Sequence, residues 1–135
     1  MNFKEVVFMI QAVLVGKNQQ IFDPVARVLQ QHPVVVSWIK TGKTALAHIT
    51  DTRDKGRAAE LLITDETLDD MTGRALVEQV IMESPMTSCV AVSTLSEKAF
   101  HETFEGLGVL MQLPEKPDKA DGDALVACMK KISLL

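Results

Sequence analysis

Cysteine, tyrosine and clustered basic residues are scarce in this sequence, and each scarcity excludes a class of protein. The chain has two cysteines and no tyrosine. Cys89 and Cys128 lack the spacing of a metal-binding motif and are too few for a disulfide framework, which favours a reducing compartment. We therefore interpret both as small, buried apolar residues and expect a cytoplasmic protein.

Positive charge is also in the minority. Fourteen Lys and Arg residues stand against eighteen acidic ones, for a formal net charge of -4, and the basic residues form no stripe along the sequence. A protein that holds a nucleic-acid backbone needs a clustered basic surface. Direct binding to nucleic acid is therefore not expected.

No apolar run is long enough to cross a membrane. The N-terminal stretch after Lys4 is apolar, but Gln11 interrupts it and no small-residue cleavage site follows. A membrane-spanning helix needs about 20 apolar residues, and a secretory signal needs a cleavage site. We expect neither a membrane anchor nor a signal peptide.

Short β-branched apolar runs alternate five times with segments of helical periodicity. The predicted strands are residues 12–16, 34–38, 61–65, 89–94 and 109–113. This alternation is typical of a parallel sheet with helices on both faces. We therefore predict a single α/β domain over residues 1–135, a doubly wound (βα)5 sheet with its core at residues 11–133.

Some helix boundaries are less well determined. Pro24 falls inside the first helical segment, so either Asp23 and Pro24 begin that helix or its first turn is irregular. The polar stretch 50–57 is predicted to be a loop. Residues 42–44 are similar to the end of a phosphate-binding loop, but Ser37 replaces its first glycine, so we predict a helix start there.

The ligand site of a doubly wound sheet lies outside the carboxyl ends of the strands. The residues at or just past these ends include Gly16, Lys17, Asp65, Ser93 and Lys116. A carboxylate, a hydroxyl and an ammonium group would therefore meet in one crevice. Such a set suits phosphoryl transfer to a carboxylate, because the ammonium group offsets phosphoryl charge and the hydroxyl donates a hydrogen bond.

Three segments at the strand ends have the spacing of a known family. The stretch LLITDETLDDMTG at 61–73 ends an apolar strand in Asp and begins the next helix with Met-x-Gly. The run VAVST at 90–94 ends a strand in Ser and Thr, and Lys-Pro follows the fifth strand at 116–117. Over residues 11–132 the chain thus resembles the receiver domain of bacterial response regulators. The resemblance implies the flavodoxin-like strand order 2-1-3-4-5.

The resemblance also implies a function and its residues. Asp65 would accept a phosphoryl group from a histidine kinase or phosphotransfer protein in a two-component phosphorelay. Ser93 and Lys116 would contact the phosphoryl group, and Mg2+ would be bound by Asp65 and the backbone carbonyl of Thr67. Glu66 is a further candidate ligand for the metal. Such a domain acts through a downstream protein partner or a second copy, so no turnover enzyme is expected.

The sequence departs from receivers at the end of the first strand. Receivers carry two acidic residues there to hold Mg2+, whereas this chain has Gly16 and Lys17. Because Mg2+ requires oxygen ligands, this replacement should weaken metal binding severely. Lys17 is predicted to place its ammonium group beside Asp65 instead. In addition, the stretch before Lys116 is one residue longer than in the family.

The resemblance implies a partner surface formed by the fourth helix, fifth strand and fifth helix, because receivers switch there. Residues 109–111 are expected to form an exposed apolar patch there with Phe100 and Phe104. Because the chain has no tyrosine, the aromatic switch position of the fifth strand falls on Met111 or Gln112.

The sequence leaves three functional hypotheses open, two of which are versions of a receiver domain. Asp65, Ser93 and Lys116 favour a phosphorylatable receiver, which is the leading hypothesis. Gly16 and Lys17 favour a pseudo-receiver that binds partners without phosphorylation. The rival is a small flavodoxin-like enzyme or nucleotide-binding domain, although no Gly-rich phosphate loop follows the first strand.

Overall fold

The computed structural model describes residues 9–135, which form five parallel strands alternating with five α-helices. The strands are β1 (Ile10–Val15), β2 (Val34–Ile39), β3 (Leu61–Thr64), β4 (Ser88–Val92) and β5 (Met111–Leu113). The helices are α1 (Asp23–Leu29), α2 (Gly42–Asp54), α3 (Gly73–Glu83), α4 (Glu97–Thr103) and α5 (Lys119–Lys131). Residues 1–8, with most of the N-terminal apolar stretch, lie outside the described part of the chain.

The strand order is β2-β1-β3-β4-β5, and all neighbouring strands are parallel, which confirms the predicted topology. Successive strand residues enter two cores. Leu14 and Ile63 pack with α1 and α5, whereas Val15 and Leu62 pack with α2, α3 and α4. The strands are nearly continuous apolar runs because helices cover both faces. Among the described residues, none of the helices has the length and apolar character to span a bilayer.

Two helices differ from the sequence prediction in their bounds. A 3₁₀ helix at Gln19–Phe22, capped by the Asn18 side chain, precedes α1, and Pro24 lies in the first turn of α1. Asp23 and Pro24 therefore begin the α-helix, with Phe22 rather than Asp23 as its N-cap, and the irregular turn is the 3₁₀ helix before it. Helix α2 continues to Asp54, so the prediction of a loop over 50–57 was wrong in its first half. This last turn is mostly polar and exposed, and it carries no periodic apolar pattern.

The two cysteines differ in burial. Cys89 is buried in β4, and this burial raises the pKa of its thiol to about 12. Cys128 is only half-buried on α5. Both are free thiols. The prediction that both cysteines are small buried residues is confirmed for Cys89. It holds only in part for Cys128, which is half-buried.

The connection from β3 to α3 brings Asp65 against the first residue of α3. Thr72 caps α3 by accepting the Ala75 N–H at 3.1 Å, and the Gly73 N–H donates to the Glu66 carbonyl at 2.9 Å. A Cβ on Gly73 would overlap the carbonyl oxygen of Asp65. Only glycine permits this close approach, which gives a structural reason for the Met-x-Gly motif.

We expect Gly73→Ala to lower the free energy of unfolding by about 1–3 kcal/mol, because the backbone of Asp65 must move. Gly42 is a matched control, since it is also the buried first residue of a helix. The three atoms nearest to a Cβ on Gly42 would all belong to the flexible side chain of Met71. Gly42→Ala should therefore change the free energy by less than about 1 kcal/mol. Urea denaturation measures both values, and equal losses would contradict a special constraint at Gly73.

Candidate functional site

The carboxyl ends of β1, β3 and β4 border a cleft of about 300 Å³ beside Asp65. Asp65 follows β3 directly, is half-buried, and donates its N–H to the Val15 carbonyl at 2.9 Å. The registers of β3 with β1 and β4, continued by one residue, place Asp65 level with Gly16 and Val92. Its Oδ1 accepts the Glu66 N–H at 2.8 Å, which orients the carboxylate.

Some of the sequence-predicted site residues meet in this cleft and others do not. The lining residues are Lys17, Asn18, Ile21, Asp65, Glu66, Thr67, Val92 and Glu115. Lys17, Asp65, Glu66 and Thr67 are thus brought together. Ser93 and Lys116 do not line the cleft. Their contacts with a phosphoryl group on Asp65 stay predictions.

Ser93 lies in the loop after β4, because that strand ends at Val92. Its side chain is buried, and its hydroxyl accepts the Leu95 N–H at 3.0 Å. Its own N–H donates to the Leu113 carbonyl at 3.0 Å. The Ser93 hydroxyl therefore stabilises a local turn.

After β5, the residue that lines the cleft is Glu115, which the sequence prediction did not include. Lys116 is exposed and adopts a left-handed conformation with φ 55°. The sequence did indicate a displacement of Lys116 from the cleft, because the stretch before it is one residue longer than in receivers. The extra residue moves the lysine further from the strand end. A carboxylate thus lines the cleft where the resemblance implies an ammonium group.

An aromatic ring packs next to Gly16, just past the end of β1. Gly16 is buried, and a Cβ there would lie 3.0 Å from the Phe22 ring and 3.4 Å from the Asp65 Cβ. Phe22 is 1% exposed and packs against Trp38 with 5.8 Å between ring centroids. Any side chain at position 16, including an acidic one, would therefore require Phe22 to move.

Glu66 anchors the loop that follows β4. Its carboxylate accepts the Thr94 N–H at 2.9 Å and the Thr94 hydroxyl at 3.0 Å. From β5, the side-chain amide of Gln112 donates to the Leu95 carbonyl at 2.8 Å. Of the two candidates for the switch position, Gln112 is thus the one that contacts this loop, whereas Met111 packs against the α1/α5 core.

The next two carboxylates of the β3–α3 loop also have partners. Asp69 forms an exposed ion pair with Lys17, at 3.5 Å, so Lys17 does not pair with Asp65 as predicted. Asp70 accepts the N–H groups of Lys43 and Gly42, both at 2.9 Å, at the start of α2. These hydrogen bonds, that from Lys43 first, lower the pKa of Asp70. The loop is therefore attached to α2.

The cleft does not fit Mg2+. This ion takes near-octahedral oxygen ligands, usually one or two protein carboxylates together with several waters. Within residues 9–135, no three side chains of Asp, Glu, His or Cys are arranged to hold a metal ion. Glu66 is bonded to Thr94, and position 16 offers no side chain. The residues present therefore do not reproduce the magnesium site that the resemblance implies.

Solved structures of receiver domains are similar to this chain. A response regulator receiver domain protein (CheY-like) from Methanospirillum hungatei JF-1 has a TM-score of 0.74 and 18% identity, covering 93% of this chain and 95% of that one. The chain has the receiver fold. The signal receiver domain of an HD domain-containing protein from Pseudomonas fluorescens Pf-5 has a TM-score of 0.71 and 18% identity, covering 96% and 91%.

A third structure with the receiver fold is the isolated REC domain of RcsB from Salmonella enterica serovar Typhimurium in the presence of phosphomimetic BeF3-. Its TM-score is 0.71 at 18% identity, covering 92% of this chain and 90% of that one. No family model and no curated protein sequence matches the chain. The chemistry of the cleft must therefore be argued from its own residues.

We expect Glu66→Ala to release the loop after β4, because the Thr94 N–H and hydroxyl lose their carboxylate acceptor. Hydrogen exchange at the Thr94 amide should become faster, and the free energy of unfolding should fall by about 1 kcal/mol. Asp69→Ala is the control, since its exposed ion pair contributes about 0–1 kcal/mol and is remote from Thr94 in the hydrogen-bond network. Equal exchange rates at Thr94 in both variants would show that Glu66 does not hold the loop.

The lowered pKa of Asp70 makes the attachment of the loop to α2 dependent on pH. A carboxyl group whose pKa is lower in the folded chain stabilises the fold above its unfolded pKa, and this stabilisation is lost as pH falls through the folded value. The stability difference between the native chain and Asp70→Asn should therefore be present at neutral pH and disappear well below 3.8, the ordinary value. Urea denaturation at both pH values measures it. A difference independent of pH would contradict this account.

Proposed function

We propose that this protein is a pseudo-receiver, a signalling module that acts through protein contacts without Mg2+-dependent phosphorylation of Asp65. The observation that carries the proposal is the packing of Phe22 against Gly16, just past the end of β1. The resemblance implies an acidic pair at this place. Here the space beside the strand end is taken by an aromatic ring, and Lys17 is paired with Asp69.

The charge of the cleft supports the same proposal. Phosphoryl transfer to a carboxylate needs positive charge beside the phosphoryl oxygens. Asp65, Glu66 and Glu115 bring three carboxylates to the lining, against the single ammonium group of Lys17. That ammonium group is already paired with Asp69. A phosphoryl group approaching Asp65 would therefore meet net repulsion.

Glu66 holds the loop after β4 without a phosphoryl group. The receiver resemblance implies that the hydroxyl of Ser93 contacts the phosphoryl group, and Thr94 is the next residue of the same loop. Here the hydroxyl and N–H of Thr94 are bound by the permanent carboxylate of Glu66. The loop before α4 is then held in one arrangement at all times, and the proposed module keeps one signalling state.

The second candidate is a phosphorylatable receiver in which Asp65 accepts a phosphoryl group from a histidine kinase or phosphotransfer protein. It is supported by the position of Asp65, half-buried at the end of β3 with one carboxylate oxygen oriented by the Glu66 N–H. Asp65 would be the nucleophile, and the role of Lys116 would require its loop to rearrange. No observation in residues 9–135 specifically favours the flavodoxin-like enzyme.

Intact-mass measurement after incubation with acetyl phosphate and Mg2+ separates the two candidates. We expect no phosphoryl adduct on the native chain, because the cleft has excess negative charge and no fitting metal site. An adduct that disappears in Asp65→Asn would establish the second candidate instead.

A rebuilt variant provides the positive control for this measurement. Gly16→Asp and Lys17→Asp restore the acidic pair, and Phe22→Leu makes room for it. This triple variant should bind Mg2+ at least about tenfold more tightly than the native chain. It should then form an adduct that Asp65→Asn removes, provided that circular dichroism shows a native fold.

For the protein contacts we propose the face formed by α4, β5 and α5. Phe100 and Phe104, which were expected to be exposed on this face, are 5% and 9% exposed, so that expectation was wrong. Their rings belong to the core under α4 because they pack against the sheet. The accessible apolar residues are the half-buried Val109, Leu110 and Met111.

A further inference from the structure

A recess of about 810 Å³ lies between α4 and β5, and we call it the α4–β5 groove. Its apolar floor is formed mainly by the half-buried Val109, Leu110 and Met111. The stacked rings of Phe100 and Phe104, with centroids 4.4 Å apart, also line it but are only 5% and 9% exposed. This groove is more than twice as large as the cleft beside Asp65.

The groove is open because the elements around it are short. Helix α4 ends at Thr103, and the loop that follows has Gly106 and Gly108 at φ 81° and 64°, which contribute no side chains to cover the floor. Strand β5 has three residues and is the last strand of the sheet, so its outer edge has no neighbouring strand among the described residues. An uncovered sheet edge beside an apolar floor is a surface that a partner segment can bind.

The rim of the groove is acidic. Glu97, Glu102 and Glu105 are exposed, and none of them takes part in an ion pair within residues 9–135. No Lys or Arg is among the residues that line the groove. An occupant with positive charges at the rim would therefore gain attraction that an anionic occupant would not.

We propose that the α4–β5 groove binds a partner segment whose apolar side chains are flanked by lysine or arginine. This proposal deepens the proposed function, since it rests on a module that acts through protein contacts. The apolar side chains lie on the floor and exclude water, whereas the cationic groups meet the glutamates of the rim and set specificity and association rate.

The same charges argue against two other occupants. A second copy bound through a two-fold symmetric interface would bring the same patch to itself, so the rim glutamates of both copies would face one another and repel. An anionic membrane surface would be repelled for the same reason. A cationic segment of another protein is the occupant that the rim fits.

Three labelled peptides of equal length test the proposal by fluorescence anisotropy. The first carries leucine and lysine in an amphipathic pattern, the second has glutamate in place of lysine, and the third has serine in place of leucine. The leucine–lysine peptide should bind, more weakly as salt is added, and the other two should not. Equal binding of the glutamate peptide would overturn the charge argument, and equal binding of the serine peptide would overturn the role of the floor.

A pair of protein variants locates the binding. Glu102→Gln with Glu105→Gln should weaken binding of the leucine–lysine peptide about fivefold at low ionic strength. Asp51→Asn with Asp54→Asn removes the same charge from α2 and should leave the affinity unchanged. Equal affinity in both double variants would overturn the proposal.

Light scattering and phosphodonor treatment complete the test. Self-association that the leucine–lysine peptide disrupts and the Glu102/Glu105 variant changes would make a second copy the occupant and overturn the proposal. Peptide affinity should be the same with and without acetyl phosphate. Binding to the groove only after an adduct forms would overturn the pseudo-receiver function while leaving the chemistry of the groove intact.

Discussion

The carbonyl oxygen of Asp65 lies against Gly73, and the positions of the residues in the cleft follow from this contact. Because the residue after β3 lies against the first residue of α3, the residues between them form a compact loop. A bridge between Thr67 and Thr72 closes this loop. This loop directs the Glu66 side chain toward the loop after β4. It also carries the next two carboxylates toward the end of β1 and the start of α2.

The acidic residues after β3 serve as tethers between elements. Glu66 connects this loop to β4, Asp69 connects it to the residue after β1, and Asp70 connects it to the start of α2. A carboxylate engaged by protein N–H groups is less available to a metal ion, since binding the metal would leave those groups without their acceptor. The loop thus gains rigidity through the same groups that a magnesium site would require.

Local patterns were sufficient for the alternation of strands and helices and for the position of Asp65 at the end of a buried strand, whereas the strand order followed from the receiver resemblance. The sequence was insufficient for the role of Glu66. Its hydrogen-bond partner Thr94 is distant in sequence, and the contact depends on the direction of the Glu66 side chain. The extra residue before Lys116 was visible, but its effect depends on a left-handed backbone conformation that no local pattern indicated. The burial of Phe104 depends on how far α4 extends over the sheet.

The packing of the Phe22 ring against Gly16 also constrains which single substitutions the end of β1 tolerates. Introducing Asp at position 16 alone overpacks the site at a cost of about 1–3 kcal/mol. Reducing Phe22 to Ala alone leaves a cavity beside Trp38 at a cost of about 3–5 kcal/mol. Each change is harmful without the other, so an acid at position 16 requires coupled substitutions. Neither of these two substitutions alone leads to an acidic strand end without a loss of stability.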